Sequence, residues 1–357
     1  MPLTGRFLMD RPLKKRRLRA SASAAAVTAI LLAGACGGDD EPDDGGVETL
    51  DQVTYLTGFG TFGREAYAYV AVEKGYFAEE GIEVEIQPGG GTIPNITQTV
   101  EGEVDFALAD FTGVLLAYGN EQVPLDFTVV GAVLQQTVFS IIALESSGIT
   151  TPQDLEGMTI GDAPGSFGPL LWPAYADLAG IDIDEVEMEA SFPPPELPGL
   201  LAGGRVDAIG QFLLGQPTIE AAAGEPAVVL PFSDVLRDLY GIALVVSNDL
   251  AESDPDLVQR FNRALMRGLE DAIANPEEAG QILEQHVPEM NGEVAAQEVV
   301  LMEPYVQPLV PGAPFGSMDE QRVAQSIAIL ESAGAIPAGV TPEDVVTFSL
   351  VPGFQEQ

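Results

Sequence analysis

Two glycine-rich loops carry the residues best suited to hold a small molecule: Gly58-Phe59-Gly60-Thr61-Phe62-Gly63 and Asp162-Ala163-Pro164-Gly165-Ser166-Phe167-Gly168. Each follows a short apolar run, Val53–Leu56 in one case and Met158–Gly161 in the other, and each opens an amphipathic stretch. A loop so placed ends a strand and begins a helix. The first backbone N–H groups of that helix lack intrahelical partners and its end is electropositive, so both loops can receive an acceptor or an anionic group. Ser166 adds a hydroxyl, either as a helix cap or as a ligand donor. Arg64 puts a positive charge at the start of the first helix, where the dipole disfavours one, which points to a ligand role or to pairing with Glu65. Phe59, Phe62, Phe111, Phe167 and Trp172 fall in or beside these loops and can stack on a flat ring. Asp110, Gln135, Gln136 and Gln211 can hydrogen-bond the edge of such a ring, and packing is the competing use of each aromatic. Gly89-Gly90-Gly91 lets backbone approach closely after the next strand, or forms a plain turn.

Other chemistry has little support. Gly58-x-Gly60-x-x-Gly63 fits the dinucleotide fingerprint with Glu83 about twenty residues on, but the export signal described below argues against a nicotinamide-dependent enzyme. His286 is the only histidine and sits near Pro288 at a polar helix end, so a histidine-centred triad is not expected. Carboxylates are so abundant that no pair is distinctive for glycoside hydrolysis or calcium. Neither a Gly-x-Ser-x-Gly elbow nor a phosphate loop is present. No catalytic residue, metal site or cofactor is expected.

The elements that must position these loops alternate. Short apolar strands and amphipathic helices follow one another from residue 52 to about residue 247, which predicts an α/β fold with mixed, mainly parallel sheets. The two loop units repeat one plan. After its loop and helix, each continues to an acidic alternating strand, Ile82-Glu83-Val84-Glu85-Ile86 or Val186-Glu187-Met188-Glu189. Each then reaches a Gly-x-Val-Asp turn into a further strand, at Gly102–Asp105 and Gly204–Asp207. Two lobes are therefore written in one chain, with hinge crossings expected near Gln135–Ile141 and Leu236–Ile242. Beyond Asp254 long helices follow: one capped by Ser253 or Asp254 with Leu257, Phe261, Leu265 and Leu269 on one face, then Pro276–His286, Val294–Met302 and Met318–Ala333, all expected to wrap the first lobe.

Upstream of the lobes, Lys14-Lys15-Arg16-Arg17, the apolar stretch Ala24–Ala35 and the single cysteine Cys36 read as an export signal with a lipid-acceptor cysteine at the cut site. The stretch is shorter than the roughly 20 residues a membrane-spanning helix needs. Leu31-Leu32-Ala33-Gly34-Ala35-Cys36 resembles a bacterial lipobox, with Ala33 where that pattern usually has leucine; an ordinary cleaved signal is the alternative. The acidic, Gly-rich run to about residue 46 cannot bury apolar surface and reads as a tether. The chain of 357 residues has 15 Lys+Arg and 55 Asp+Glu; removing residues 1–36 takes seven basic residues and Asp10, leaving 8 against 54. Such an excess of acid excludes nucleic acid and anionic headgroups as general surface partners. One cysteine allows no intramolecular disulfide.

Glu73-Lys74-Gly75-Tyr76-Phe77-Ala78-Glu79-Glu80-Gly81-Ile82-Glu83-Val84 strongly resembles the solute-binding proteins of ABC importers, in the family that covers thiamine pyrimidine precursors, sulfonates, taurine and nitrate. Gly102-Glu103-Val104-Asp105-Phe106-Ala107 and Asp154-Leu155-Glu156-Gly157-Met158-Thr159-Ile160-Gly161 match the same family in order and spacing. The resemblance implies a two-lobed, type II periplasmic-binding-protein-like fold with a double hinge, closing on a small ligand in a cleft lined by strand ends. It gives residues 1–35 as signal, 36–50 as lipidated cysteine and tether, 51–138 with 241–357 as lobe 1, and 139–240 as lobe 2. The expected ligand contacts are Phe59, Gly60, Arg64, Gly90, Asp110, Gln135, Ser166, Phe167 and Gln211. The resemblance further implies a monomer, membrane-anchored through Cys36 on the extracytoplasmic face, that delivers solute to an ABC permease. The aromatic loops favour a heterocycle; Arg64 and the helix ends favour a sulfonate or nitrate. An exported enzyme of the same fold, or a sensor subunit for a signalling partner, are the rival expectations.

Overall fold

The computed structural model describes residues 50–354, except 164, 165, 167, 194 and 195. The export signal, Cys36, the tether and Phe167 therefore lie outside the described residues.

The chain first builds β1 (Asp51–Leu56), β2 (Phe59–Gly60), α1 (Ala66–Glu73), α2 (Tyr76–Glu79), β3 (Ile82–Gln87), β4 (Gly89–Gly90), α3 (Thr92–Val100), β5 (Phe106–Asp110), α4 (Phe111–Gly119) and β6 (Phe127–Ala132). It then crosses to β7 (Phe139–Leu144), β8 (Thr159–Asp162), α5 (Gly168–Ala179), β9 (Glu187–Ala190), α6 (Leu197–Ala202), β10 (Ala208–Phe212), α7 (Gln216–Ala223) and β11 (Ala227–Pro231). A second crossing leads to β12 (Ile242–Ser247), α8 (Asn248–Ser253), α9 (Pro255–Ala274), α10 (Pro276–His286), α11 (Gly292–Val306), α12 (Glu320–Ser332) and α13 (Pro342–Val345).

Two five-stranded sheets result, ordered β3-β1-β5-β12-β6 and β11-β7-β10-β8-β9. In each, four strands run in one direction, three of them paired side by side, and the strand by which the chain enters that sheet from a crossing, β12 or β7, lies antiparallel between its neighbours. The repeat legible in the sequence is thus a repeat of topology. Its Gly-x-Val-Asp turns do the same work twice. Asp105 Oδ2 accepts from Thr54 N at 2.8 Å, and Asp207 Oδ2 accepts from Thr159 N at 2.9 Å, each fixing the start of the parallel pair beside it.

The helices follow their sequences closely. Asp254, rather than Ser253, caps α9 by accepting from Leu257 N at 3.0 Å, with Pro255 at the first helical position where its missing N–H costs nothing. Leu257, Phe261, Leu265 and Leu269 are all buried on the expected face. Phe261 stacks on Phe106 of β5 with centroids 3.8 Å apart, tying the helix to the sheet. The segment Lys74–Glu80, which carries the resemblance, docks on the same helix: Phe77 meets Phe261, Tyr76 Oη donates to Asp271 at 2.5 Å, and Glu79 and Glu80 pair with Arg267 and Arg263. α1 packs so tightly on α9 that a Cβ on Gly268 would lie 2.4 Å from Tyr67 O. The helix expected from Arg64 begins instead with a tight turn, Gly63–Glu65, before α1.

The apolar face of α12, Val323, Ile327 and Leu330, belongs to a core shared by Phe111, Val114 and Leu115 of α4, by Leu236, Leu239 and Tyr240 of the second crossing, and by Leu171 and Tyr175 of α5. The two crossings are themselves paired: Leu134 N donates to Ile242 O, Gly241 N to Leu134 O, and Thr137 N to Leu239 O, each at 3.0 Å.

Candidate ligand-binding site

The loop after β1 is held open by buried polar side chains. Asn95 of α3, fully buried, donates through Nδ2 to the carbonyls of Thr57, Gly58 and Leu108 at 2.9, 3.1 and 2.7 Å, and its Oδ1 accepts from Gly90 N at 2.9 Å. Thr57 Oγ1 donates to Gly60 O at 2.5 Å and accepts from Gly89 N at 3.0 Å. The loop therefore forms a two-residue ribbon, β2 against β4, with Phe59 opposite Gly90. Gly60 takes φ +65°, and a Cβ on Gly89 would sit 1.8 Å from Thr57 O, so the glycines at these positions answer to backbone geometry. The ribbon leaves Phe59 50% exposed and Phe62 38% exposed, an aromatic surface at the strand ends.

Gly63 has a different use from the one a dinucleotide fingerprint would give it. A Cβ there would lie 2.5 Å from Ala295 Cα, so the glycine admits the backbone of α11.

The expected anion seat at this helix start is already filled. Glu298 of α11 accepts from Arg64 N at 3.3 Å, and Glu65 Oε2 accepts from Phe62 N at 2.9 Å. Glu65 also pairs with Arg64 Nε at 2.9 Å. The chain's own carboxylates thus take the donors that a ligand anion would need, and the Arg64 guanidinium is paired with Glu65. That guanidinium lies 4.5 Å from the Phe62 ring centroid and 5.8 Å from that of Phe212, which ends β10 in the other sheet. Arg64 consequently bridges the two walls. Burial pushes Glu65 up to about 7 against the pull of Arg64 and the Phe62 N–H, and burial also raises Glu298.

On the first wall Asp110 ends β5 and caps α4, with Oδ1 accepting from Gly113 N at 3.2 Å. On the second, Asp162 ends β8, with Oδ1 accepting from Ala163 N at 2.6 Å. Both are buried, at 4% and 1% exposure, and burial raises them to about 7 and about 6. Neither Oδ2 has a hydrogen-bond partner. Asp162 Oδ2 occupies a cradle made by two glycines and a ring: Cβ atoms on Gly168 or Gly210 would lie 2.3 or 2.4 Å from it, and both would crowd the Phe139 ring. Among the described residues six buried side-chain polar atoms lack a partner, and four of them, Asp110 Oδ2, Thr112 Oγ1, Asp162 Oδ2 and Trp172 Nε1, lie where β5 meets α4 and where β8 leads into α5. A buried orphan costs roughly 1–3 kcal/mol, so such a concentration marks a place built for something else to complete.

The remaining expected contacts divide. Ser166 Oγ accepts from Gly168 N at 3.2 Å, the plain capping use, while standing beside Asp162. Gln211 turns its Oε1 back to accept from Phe212 N at 2.9 Å. Gln135 is buried away from the loops, donating to Ala132 O and Ser317 O, a structural tie between the first crossing and the segment before α12. Phe111 is packed edge-on to Tyr240, and the Trp172 ring stacks with Tyr175. Sequence reasoning misses Asn95, Thr57, Glu298 and Asp162 as functional side chains. Only Asp162 has a local signal, as an acid at a strand's end opening a glycine-rich loop.

His286 lies on the outer flank, where Nε2 is 3.1 Å from Glu73 Oε2 and the ring contacts Tyr69. It lines a groove of about 610 Å³ with Val84, Ile86 and Met290, bordered by Thr61 and apart from Asp110 and Asp162. Among the described residues no group of acidic, histidine or cysteine side chains is arranged to hold a metal ion, and no helix is long and apolar enough to cross a membrane.

A profile of the family described as NMT1/THI5 like matches residues 65–279. The riboflavin-binding protein RibY of Chloroflexus aurantiacus is 30% identical over 311 residues, 85% of this chain and 87% of that protein. The formylaminopyrimidine-binding protein of Halalkalibacterium halodurans is 27% identical, over 83% of this chain and 90% of its own length. A 4-amino-5-hydroxymethyl-2-methylpyrimidine phosphate synthase of Aspergillus parasiticus is also 27% identical, over 64% and 68%. Among solved structures, the periplasmic aliphatic sulphonate binding protein SsuA of Escherichia coli superposes with a TM-score of 0.66 over 87% of this chain and 94% of its own, at 15% identity, a likeness of fold. The fold is the two-lobed, type II periplasmic-binding-protein arrangement, and with its profile spanning more than half of the sequence, the chain belongs to the NMT1/THI5-like family.

Proposed function

We propose that the protein is the extracytoplasmic solute-binding lipoprotein of an ABC importer. It captures a small, flat heterocycle between its lobes, closes about the paired crossings, and delivers the solute to its permease, anchored through Cys36. The observation that carries this reading is the concentration of unpartnered buried polar atoms at the strand ends of both walls, beside the exposed rings of Phe59 and Phe62. A ring stacked on the aromatics, with polar edges meeting those atoms, would complete them.

The pairing of the Arg64 guanidinium with Glu65, and of its backbone N–H with Glu298, favours the heterocycle over a sulfonate or nitrate. The relatives named for riboflavin and formylaminopyrimidine bear in the same direction. An enzyme built on its own histidine draws no support from the position of His286, against Glu73 and Tyr69 on the outer flank.

The test is a thermal-shift screen of residues 47–357 against riboflavin, aminopyrimidines, ethanesulfonate, taurine and nitrate. A ligand at about 100 times its dissociation constant stabilises by about 2.7 kcal/mol, a shift readily seen. A saturable shift with a heterocycle, reduced by Phe59→Ala, is expected. A shift with sulfonate or nitrate alone would overturn the heterocycle, and no shift with any would overturn capture of these solutes.

A further inference from the structure

We propose that Asp110 and Asp162 grip the ligand as neutral acids, one from each wall, each donating its Oδ2–H to an acceptor atom of an uncharged heterocycle, so that capture takes up protons from water and refuses anions. This rests on the solute-binding reading above and names the chemistry of that same site.

The geometry assigns the proton. In both residues Oδ1 accepts from a backbone N–H, Gly113 or Ala163, which leaves Oδ2 as the hydroxyl oxygen when the group is neutral. Oδ2 is in each case the unpartnered atom. A ligand ring nitrogen or carbonyl is the partner such a hydroxyl requires. The two acids end strands of different sheets, so a ligand that met both would bridge the lobes and keep them together.

Among the described residues packed against the two carboxyls, none supplies a charge to compensate an ionised pair. Against Asp110 stand Thr92 of α3, Thr112 and Gly113 of α4, and Ile242 of β12, opposite it in register. Against Asp162 stand Ala163, Ser166 and Gly168, Gly210 of β10, and Phe139 of β7. None of these carries a charge. Burial raises Asp110 to about 7 and Asp162 to about 6, outweighing the pull of the Gly113, Thr112 and Ala163 backbone N–H groups and of the Thr112 and Ser166 hydroxyls. Each Oδ2 is already shielded from solvent, and an acceptor placed against it favours the neutral, donating form further. An anion would meet two acids here, while Arg64, the cation between the walls, is already paired with Glu65. A neutral acid donating to a neutral acceptor buries no charge at all, the arrangement in which a carboxylic acid works as a hydrogen-bond donor near neutral pH.

The test is calorimetric titration of the purified domain with riboflavin and with 4-amino-2-methylpyrimidine at pH 5, 6, 7 and 8, repeated in buffers of different ionisation enthalpy. The expected result is proton uptake on binding and an affinity that falls with pH, by up to about tenfold per pH unit for each carboxyl above its own pKa. Asp162→Asn and Asp110→Asn, in which an amide donor stands where the hydroxyl was, should each flatten the part of the pH profile that belongs to that residue, and Asp162→Ala should weaken binding at every pH. Binding that is pH-independent, that tightens as pH rises, or that releases protons would overturn the inference while leaving solute capture intact. Ethanesulfonate binding as tightly as the heterocycles would do the same. If neither heterocycle binds at any pH, the solute reading itself fails and the inference with it. Should an asparagine variant not fold, the wild-type profile and proton count still decide.

Discussion

Arg64 Nε lies 2.9 Å from Glu65 Oε1, and the carboxylate it meets is only 3% exposed. The pair explains why a cation stands at the start of a helix, where the dipole opposes it: the arginine steadies a buried acid of the same turn, while Glu298 reaches in from α11 to accept from its N–H. The positive charge at the cleft is therefore internal to the fold.

That arrangement predicts how stability depends on pH. Burial raises Glu65 and Asp110 to about 7 and Asp162 to about 6, against ordinary values near 4. Between the unfolded and folded values the native protein holds protons that the unfolded chain has lost, so stability falls as pH rises through that window, by up to about 1.4 kcal/mol per pH unit for each group. The ligand-free domain should melt at higher temperature at pH 5 than at pH 7.5. The large negative charge of the chain pushes in the same direction through self-repulsion, which salt screens. Glu65→Gln in high salt separates the two. The variant should lose less stability than wild type between these pH values, and an identical loss would show that Glu65 is not held protonated.

Asn95 sets the shape of the first loop. Asn95→Ala leaves the carbonyls of Thr57, Gly58 and Leu108 without their shared donor and Gly90 N without its acceptor. With a buried unmet group costing roughly 1–3 kcal/mol, the variant should lose about 3 kcal/mol, allowing for some entry of water. Asn95→Asp should be at least as damaging, because it turns an acceptor toward three carbonyls. Urea denaturation measures both. The ribbon of β2 and β4 should loosen with either change and weaken ligand affinity together with stability. A full-strength ligand shift in Asn95→Ala would mean that Phe59 is positioned by something else.

The fold is legible wherever a local pattern has one physical use. The recurring Gly-x-Val-Asp turn reads twice because Asp105 and Asp207 each answer to a threonine of the neighbouring strand where the parallel pairing begins. The fours on α9 and the cap at Asp254 are equally local. What cannot be read depends on partners far away in sequence. Glu298 fills the helix start at Arg64 from 234 positions on, so the loop reads as an anion seat when it is already closed. Gln135 reads as a polar residue near a crossing, and nothing local says that its amide reaches Ser317, 182 positions on. The amphipathic pattern of α12 likewise does not say that its core takes in α5 as well as α4. Asp162 stands in an expected loop without standing out, since in so acidic a chain a single aspartate carries no signal until its burial is known.

Arg322 offers a test of the crossings. It is 7% exposed on α12, lies 3.9 Å above the Tyr240 ring, and donates through Nη2 to the carbonyls of Gln135 in the first crossing and Arg237 in the second. Burial lowers its pKa against the pull of Tyr240 and of the carboxylates of Asp238 and Asp319; no carboxylate forms an ion pair with it among the described residues, and the ring and the two carbonyls are its direct contacts. Around it Ser326 Oγ donates to Asp238 O at 2.6 Å and Tyr240 Oη accepts from Asp319 N at 2.8 Å, so α12 grips both crossings along one face. Arg322→Ala removes a charged donor from two carbonyls and a cation from the ring; at about 1.5–3 kcal/mol for a hydrogen bond to a charged group, a loss of roughly 3 kcal/mol is expected. Arg322→Lys keeps the charge, but a single ammonium cannot reproduce the flat contact with Tyr240 and should recover less than half of the loss. If the crossings act as a hinge set by this grip, small-angle scattering of ligand-free Arg322→Ala should report a larger radius of gyration than wild type. A destabilised variant of unchanged radius would assign Arg322 to the core alone and leave lobe separation to the backbone pairing of Leu134 with Gly241 and Ile242.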